Sequence, residues 1–236
     1  MIDFHYWPTP NGWKVSILLE ELGVDYTLKP VDIRKGAQFD PAFLAISPNN
    51  RMPAIVDHGV DGPPISVFES GAIMLYLAEK HGRFLPSDLR ERVVLHEWLF
   101  WQVGNLGPMA GQHSHFFNYA QGEHPYSSER YRNEYHRCIG VLERRLAERE
   151  YLLDSGYSIA DMIAWPWILI AKAMGQPLDD FPAVARWRAA VKARPAVQRG
   201  VDLGTALRSA RSMTEAERRV MFGQTGHTGK APPDGA

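Results

Sequence analysis

One cysteine, Cys138, is the only thiol in this chain. A single thiol excludes an internal disulfide, a Cys-x-x-Cys redox pair and a zinc site built on thiolates. Long apolar runs are missing too. No stretch reaches the roughly 18 residues that would signal a transmembrane helix, so no membrane association is expected. Net charge is almost absent, with 26 Lys and Arg against 27 Asp and Glu. Without a basic excess to neutralise a phosphate backbone, nucleic acid is not an expected partner. The start, Met1-Ile2-Asp3-Phe4-His5-Tyr6-Trp7-Pro8, lacks the basic and apolar stretches of a secretory signal. The expected location is the cytoplasm, and one free thiol is consistent with a reducing compartment. The rest of the composition is ordinary. A chain of 236 residues, 45% hydrophobic and 22% charged, suits one large or two small globular domains.

Strand signals are confined to the first part. Ile2, Phe4 and Tyr6 alternate with polar residues as in a half-buried strand. Thr9-Pro10 reads as a helix start, with Val15, Leu18, Leu19 and Leu22 at helical spacing and Gly23 as the stop. A strand at Tyr26 to Val31 follows, then a short helix at Pro41 to Ile46. Ala54-Ile55-Val56 and Ile65-Ser66-Val67-Phe68 flank a turn-rich stretch and read as a hairpin. Ser70 opens the next helix. The β-α-β-α-β-β-α order predicts an α/β layer with a mixed sheet over residues 1–87. Residues 88–203 read as all-α, with helices at Leu89 to Trp101, Ser127 to Glu148, Ile159 to Ala173 and Ala183 to Ala193. Ser158 and Asp161 have the spacing of a capping box. Residues 204–236 form a tail. Ser212-Met213-Thr214-Glu215 caps one short helix to about Phe222, and the end beyond it is expected to be partly disordered.

Three places in the first part could carry chemistry. A helix N-terminus after the first strand offers free N–H groups and a favourable dipole to an anion. Here that turn reads Thr9-Pro10-Asn11-Gly12, with a hydroxyl and an amide that could donate to a thiolate. Simple helix capping explains the same residues. Asn50-Arg51-Met52-Pro53-Ala54 holds a proline just before a strand. A cis Met52–Pro53 bond would turn the Met52 main chain outward to pair with an extended peptide, and an ordinary trans bond would not. Phe68-Glu69-Ser70-Gly71 places a carboxylate beside a helix N-terminus. That pair suits the zwitterionic end of an amino acid, and equally an N-cap with an acidic neighbour.

Together these segments resemble glutathione transferases, specifically the Nu class of bacterial disulfide-bond reductases. The resemblance is carried by Pro8-Thr9-Pro10-Asn11-Gly12, Gly36-Ala37-Gln38-Phe39, Ile46 to Ile55, Phe68 to Ile73, Trp98-Leu99-Phe100-Trp101-Gln102 and Tyr157 to Asp161. It runs from residue 2 to about 200. It implies a thioredoxin-like N-terminal domain, an all-helical C-terminal domain, a homodimer and a cis Met52–Pro53 bond. It further implies that the Met52 main chain pairs with the cysteinyl part of glutathione and that Glu69 and Ser70 hold the γ-glutamyl end. Gln38 reaches the glycyl end with Arg51 nearby, and Thr9 and Asn11 address the sulfur. An arginine of the second domain, Arg130 with Arg132 in reserve, would hold a second glutathione.

The implied activity is glutathione-dependent reduction of a small disulfide, with the thiol borrowed from glutathione and no metal. Weak conjugation of electrophiles and weak peroxidase activity are compatible with it. The alternative is a non-catalytic glutathione-binding or regulatory protein of the same fold. The remaining candidates read as structure. His113, His115 and His124 lack acidic or thiolate partners at metal spacing. Tyr6 falls in strand alternation and reads as core. Cys138 reads as a small packing residue in a helix. Most of Trp98, Phe100, Trp101, Phe116 and Phe117 should be helix core, with some lining an apolar pocket.

Overall fold

A computed structural model of the chain describes residues 1–207 and 211–225. Part of the tail, residues 208–210 and 226–236, for which disorder is expected, lies outside the described residues.

Four strands form one sheet in the order β2-β1-β3-β4. β1 (Ile2–Tyr6) runs parallel to β2 (Tyr26–Pro30) and antiparallel to β3 (Ala54–Asp57). β3 pairs antiparallel with β4 (Ile65–Phe68), the expected hairpin. Parallel neighbours need a crossover, and α1 (Pro10–Leu22) supplies it. Thr9 caps α1, Pro10 takes its first position, and Gly23 ends it in the left-handed region at φ 69°. α2 (Pro41–Leu44) and α3 (Ser70–His81) complete the mixed α/β layer.

Strand alternation decides which helix covers which face. Ile2, Phe4, Tyr6 and Ile55 join the main core with Ile17 and Leu18 of α1 and Ile73 and Leu77 of α3. The intervening residues face the other way. Ala54 packs with Val31 and Phe43 of α2, and the His5 ring lies 5.8 Å from that of Phe43. Tyr6 is fully buried, and its hydroxyl donates to the Leu203 carbonyl at 2.8 Å.

The remainder is helical: α4 (Leu89–Trp101), α5 (Gly107–Asn118), α6 (Pro125–Leu146), α7 (Ile159–Leu169), α8 (Pro182–Lys192), α9 (Pro195–Asp202) and α10 (Glu215–Phe222). Capping boxes open α7 at Ser158 and Asp161, and α10 at Thr214 and Glu217. Two helices were not anticipated. α5 begins Gly107-Pro108, which reads as a turn, yet it continues α4 through a π-helical turn, Gln102–Leu106. α9 is short, and tertiary contact holds it. Gly200 lies so close to α1 that a Cβ there would meet the Ile17 backbone at 2.8 Å. Ser16 Oγ donates to the Gly200 carbonyl at 2.7 Å, and Arg194 and Arg199 pair with Glu21 and Glu20.

The expected aromatic core is corrected. Phe100 is 70% exposed and Phe117 54%, while Trp98, Trp101 and Phe116 are half-buried. α4 turns only Leu95 and Leu99 fully inward, so its aromatics lie on the flanks and outer face.

Candidate active site

A cleft of about 710 Å³ lies between the loops at one end of the sheet and the helices beyond α4. Small-molecule sites span about 300–1,000 Å³, so this one is roomy. Its two walls are built differently.

Three chain reversals form the sheet-side wall. The first is the start of α1. Thr9 Oγ1 accepts the Gly12 N–H at 3.3 Å, which caps the helix. Its own proton points to the Met52 thioether sulfur at 3.8 Å. Capping therefore uses the acceptor side of Thr9 and leaves its donor against a sulfur. Asn11 is half-buried and lines the cleft, and among the described residues no hydrogen bond ties down its side chain. Gly12 is required here, because a Cβ would lie 2.3 Å from the Trp7 carbonyl oxygen. The second reversal carries Arg51, Met52 and Pro53, with the Met52–Pro53 bond cis. Ser47 Oγ donates to the Arg51 carbonyl at 2.8 Å and holds this turn. The third precedes α3. Glu69 sits at φ 68°, a left-handed conformation that costs about 1–3 kcal/mol for a non-glycine residue and tends to mark functional sites. Asn49 Nδ2 donates to Glu69 Oε1 at 3.2 Å. Ser70 is not the N-cap. It is the first residue of α3, and its hydroxyl is left for other partners.

Gln38 also lines this wall. Its Nε2 donates to the Ile33 carbonyl at 3.3 Å. Its Oε1 is buried without a hydrogen-bond partner among the described residues.

Lys14 lies beneath these turns and was not singled out from the sequence. It is 2% exposed, and its Nζ donates to Gln102 Oε1 at 2.8 Å and Ser70 Oγ at 3.4 Å. Burial pulls its amine down from 10.5 to about 7, and the charge of Glu69 opposes that only in part. A signal existed: Lys14 is four residues before Leu18, on the buried stripe of α1.

The second wall comes from helices. Val103, Gly107, Pro108 and Gly111 give it a low relief, with Gln112, His115 and Trp167 among them. Trp167 Nε1 is buried without a partner among the described residues. α10 closes one end with Met221 and Phe222, and Gln224 follows them. The Phe222 ring lies 4.8 Å from that of His115, and Arg218 donates to the Tyr119 carbonyl at 2.7 Å. Burial lowers the pKa of His115, and His124 adds to the effect.

The structure brings Thr9, Asn11, Gln38, Arg51, Met52, Pro53, Glu69 and Ser70 to one cleft. It does not bring Arg130 there. Arg130 is exposed on α6 and donates to Glu134 Oε1 at 2.8 Å, one helical turn on. Arg132 lines a separate cavity with Phe116 and Phe117. His113 Nε2 is bonded to the Met174 carbonyl at 2.8 Å, and no metal-holding group of His, Cys, Asp and Glu occurs among the described residues. Cys138 is fully buried in α6, where desolvation pushes its thiol pKa up and makes it a poor nucleophile.

Chemically, the sheet-side wall offers donors and a helix dipole to an anion at α1. It offers a carboxylate to an ammonium at Glu69, and a hydroxyl on a helix N-terminus to a carboxylate at Ser70.

Comparison with known proteins follows the same lines. Residues 1–79 match the model of the glutathione S-transferase N-terminal domain, and residues 125–190 that of the C-terminal domain. The chain is 50% identical over 198 residues to the disulfide-bond oxidoreductase YfcG of Escherichia coli, covering 83% of this chain and 92% of that protein. It superposes with a TM-score of 0.80 on a glutathione transferase from Pseudomonas putida with one glutathione disulfide bound per subunit. The two are 40% identical over 86% of this chain and 91% of the other. A glutathione transferase from Burkholderia graminis, with two glutathione molecules bound per subunit, gives the same score at 42% identity over 86% and 88% of the chains. With a thioredoxin-like sheet domain, a helical second domain and these relatives, the chain belongs to the glutathione S-transferase family.

Proposed function

We propose that this protein is a glutathione-dependent disulfide-bond reductase that works with borrowed thiols. The observation that carries the reading is the cleft at the α1 N-terminus. Thr9 and Asn11 offer donors there with no cysteine beside them, while Cys138 is shut inside α6. The names of YfcG and of the glutathione-bound relatives support it.

In this reading glutathione lies along the sheet-side wall. Glu69 and Ser70 take the γ-glutamyl end, the Met52 main chain pairs with the cysteinyl part, and Gln38 and Arg51 face the glycyl end. The sulfur sits over Thr9 and Asn11. An ordinary thiol of pKa about 8.5 is mostly protonated near neutral pH, and these donors with the α1 dipole favour its thiolate. The thiolate attacks one sulfur of the substrate disulfide. The S–S bond breaks, a mixed disulfide forms, and the departing thiolate takes a proton. A second glutathione thiolate then attacks the glutathione sulfur of the mixed disulfide. The products are glutathione disulfide and a second thiol, so two glutathiones supply both electrons. Gln112, His115 and Trp167 are better placed than Arg130 to face the outer glutathione.

The protein in this reading has its domain division near residue 87, between α3 and α4, and works in the cytoplasm as a homodimer. Leu89, Val93 and Phe100 of α4 and Ile65 and Phe68 of β4 are exposed apolar residues that a second copy would cover. Val103 both lines the cleft and is part-exposed, which supports a subunit contact close to the site. A Phe100→Glu variant should run as a monomer in light scattering after size exclusion.

The test of function is turnover of hydroxyethyl disulfide with glutathione, coupled to glutathione reductase and NADPH. The rate should exceed buffer and saturate in both substrates. A rate equal to buffer, with no glutathione binding, would overturn the reading.

A further inference from the structure

We propose that Lys14 is a positioning residue for the α-carboxylate of bound glutathione, and that docking of this carboxylate draws a proton onto the Lys14 amine. The inference rests on the placement of the γ-glutamyl end at Glu69 and Ser70 proposed above.

An ammonium can only donate. Both acceptors that Lys14 reaches, Gln102 Oε1 and Ser70 Oγ, are neutral. Among the described residues no ion pair reaches it. Of the charged groups on the elements packed around it, Asp202 of α9 and His81 of α3 are exposed to solvent, and the others are engaged elsewhere. On α1 and α9, Glu20 and Glu21 pair with Arg199 and Arg194. On α7, Asp161 accepts from Leu152, Ser158 and Trp187. On α3, Glu79 pairs with Arg92 and Lys80 with Asp57. On β1, Asp3 pairs with Lys29 and His58, and His5 faces α2. Only Glu69 acts on Lys14, through space, and its carboxylate is held by Asn49.

A buried ammonium without a counter-ion is costly, and the amine responds by giving up its proton near pH 7. The cleft therefore has room, electrostatically, for one added negative charge next to Ser70. The geometry also orders Ser70. When Lys14 donates to Ser70 Oγ, the hydroxyl proton is turned away from Lys14 and is free to donate to a ligand carboxylate. The incoming charge then favours the ammonium form, and the proton comes from the buffer.

A lysine acting only as a strut between α1, α3 and the π-helical turn would take up no proton. The test is isothermal titration calorimetry of the full-length protein with S-methylglutathione, in two buffers of different ionisation enthalpy. This ligand has no thiol, so thiolate formation cannot release a proton and mask the effect. Uptake should approach about one proton per site above pH 7 and fall away well below it. Lys14→Met should bind about tenfold more weakly, as expected for losing a charge-assisted contact, and show no uptake in that window. In turnover, this variant should raise KM for glutathione far more than it lowers kcat.

Wild-type binding with no proton uptake above pH 7 overturns the inference and leaves the glutathione site standing. Uptake that persists in Lys14→Met assigns the proton to another group and also overturns it. Failure of the wild type to bind S-methylglutathione would instead overturn the site placement itself. A wild-type count of zero overturns the inference even if the variant does not fold.

Discussion

The two walls of the cleft do different work because they are made differently. The sheet-side wall is three chain reversals, at Thr9–Gly12, Arg51–Pro53 and Glu69–Ser70. Its key groups are helix starts and main chain, fixed by capping, a cis bond and a left-handed residue. The helical wall is made of side chains from four elements: the π-helical turn, α5, α7 and α10 with the residues after it. A wall of backbone ends is suited to one constant ligand. A wall of side chains can change relief without disturbing the fold. We therefore assign glutathione to the first and the variable disulfide partner to the second.

Substitutions on the two walls should behave accordingly. Glu69→Ala removes the carboxylate proposed for the γ-glutamyl ammonium, worth up to about 3 kcal/mol for a charged hydrogen bond. Turnover should fall about a hundredfold in kcat/KM with every disulfide tested. Equal loss across substrates sharpens the comparison, and loss with only one disulfide breaks it. Asn11→Ala should lower kcat/KM by about tenfold, consistent with losing one donor to a developing anion. The pH at which the rate rises should move upward, because the thiolate is less well held. Lys14→Met tests the floor of the same wall through stability. The folded amine loses its proton near pH 7 and the unfolded one near 10.5, so the unfolded chain binds more protons between them. Wild type should gain on the variant by roughly 1 kcal/mol per pH unit across that range, read by urea melts at several pH values. The helical wall should give the smallest effects. Phe222→Ala should alter kcat/KM by about threefold, with a size that depends on the disulfide and an unchanged KM for glutathione.

Legibility in the sequence follows the same division. Thr9-Pro10, Met52-Pro53 and Glu69-Ser70 are local signals, because capping, proline and turn chemistry act over a few residues. The first strand and the β3–β4 hairpin were legible for a similar reason, from alternation in β1 and the Gly-Pro turn before β4, while the order of strands in the sheet was not. The helical wall has no such code. Gln112, His115, Trp167 and Phe222 are far apart in sequence and meet only after α5, α7 and α10 pack. α5 itself was hidden by Gly107-Pro108, which a continuing π-helical turn absorbs. Arg130, an expectation from the resemblance, pairs with Glu134 on the exposed face of α6 and does not line the cleft. Lys14 could have been found, as a charge on an apolar stripe.

The central claim is that the sulfur chemistry belongs to glutathione and not to the chain. Cys138→Ala produces an enzyme with no cysteine at all. Its kcat/KM for hydroxyethyl disulfide, measured with glutathione alongside wild type, should stay within a factor of about two, since only a small buried packing group is lost. A folded Cys138→Ala protein that binds glutathione but no longer reduces the disulfide would contradict the account.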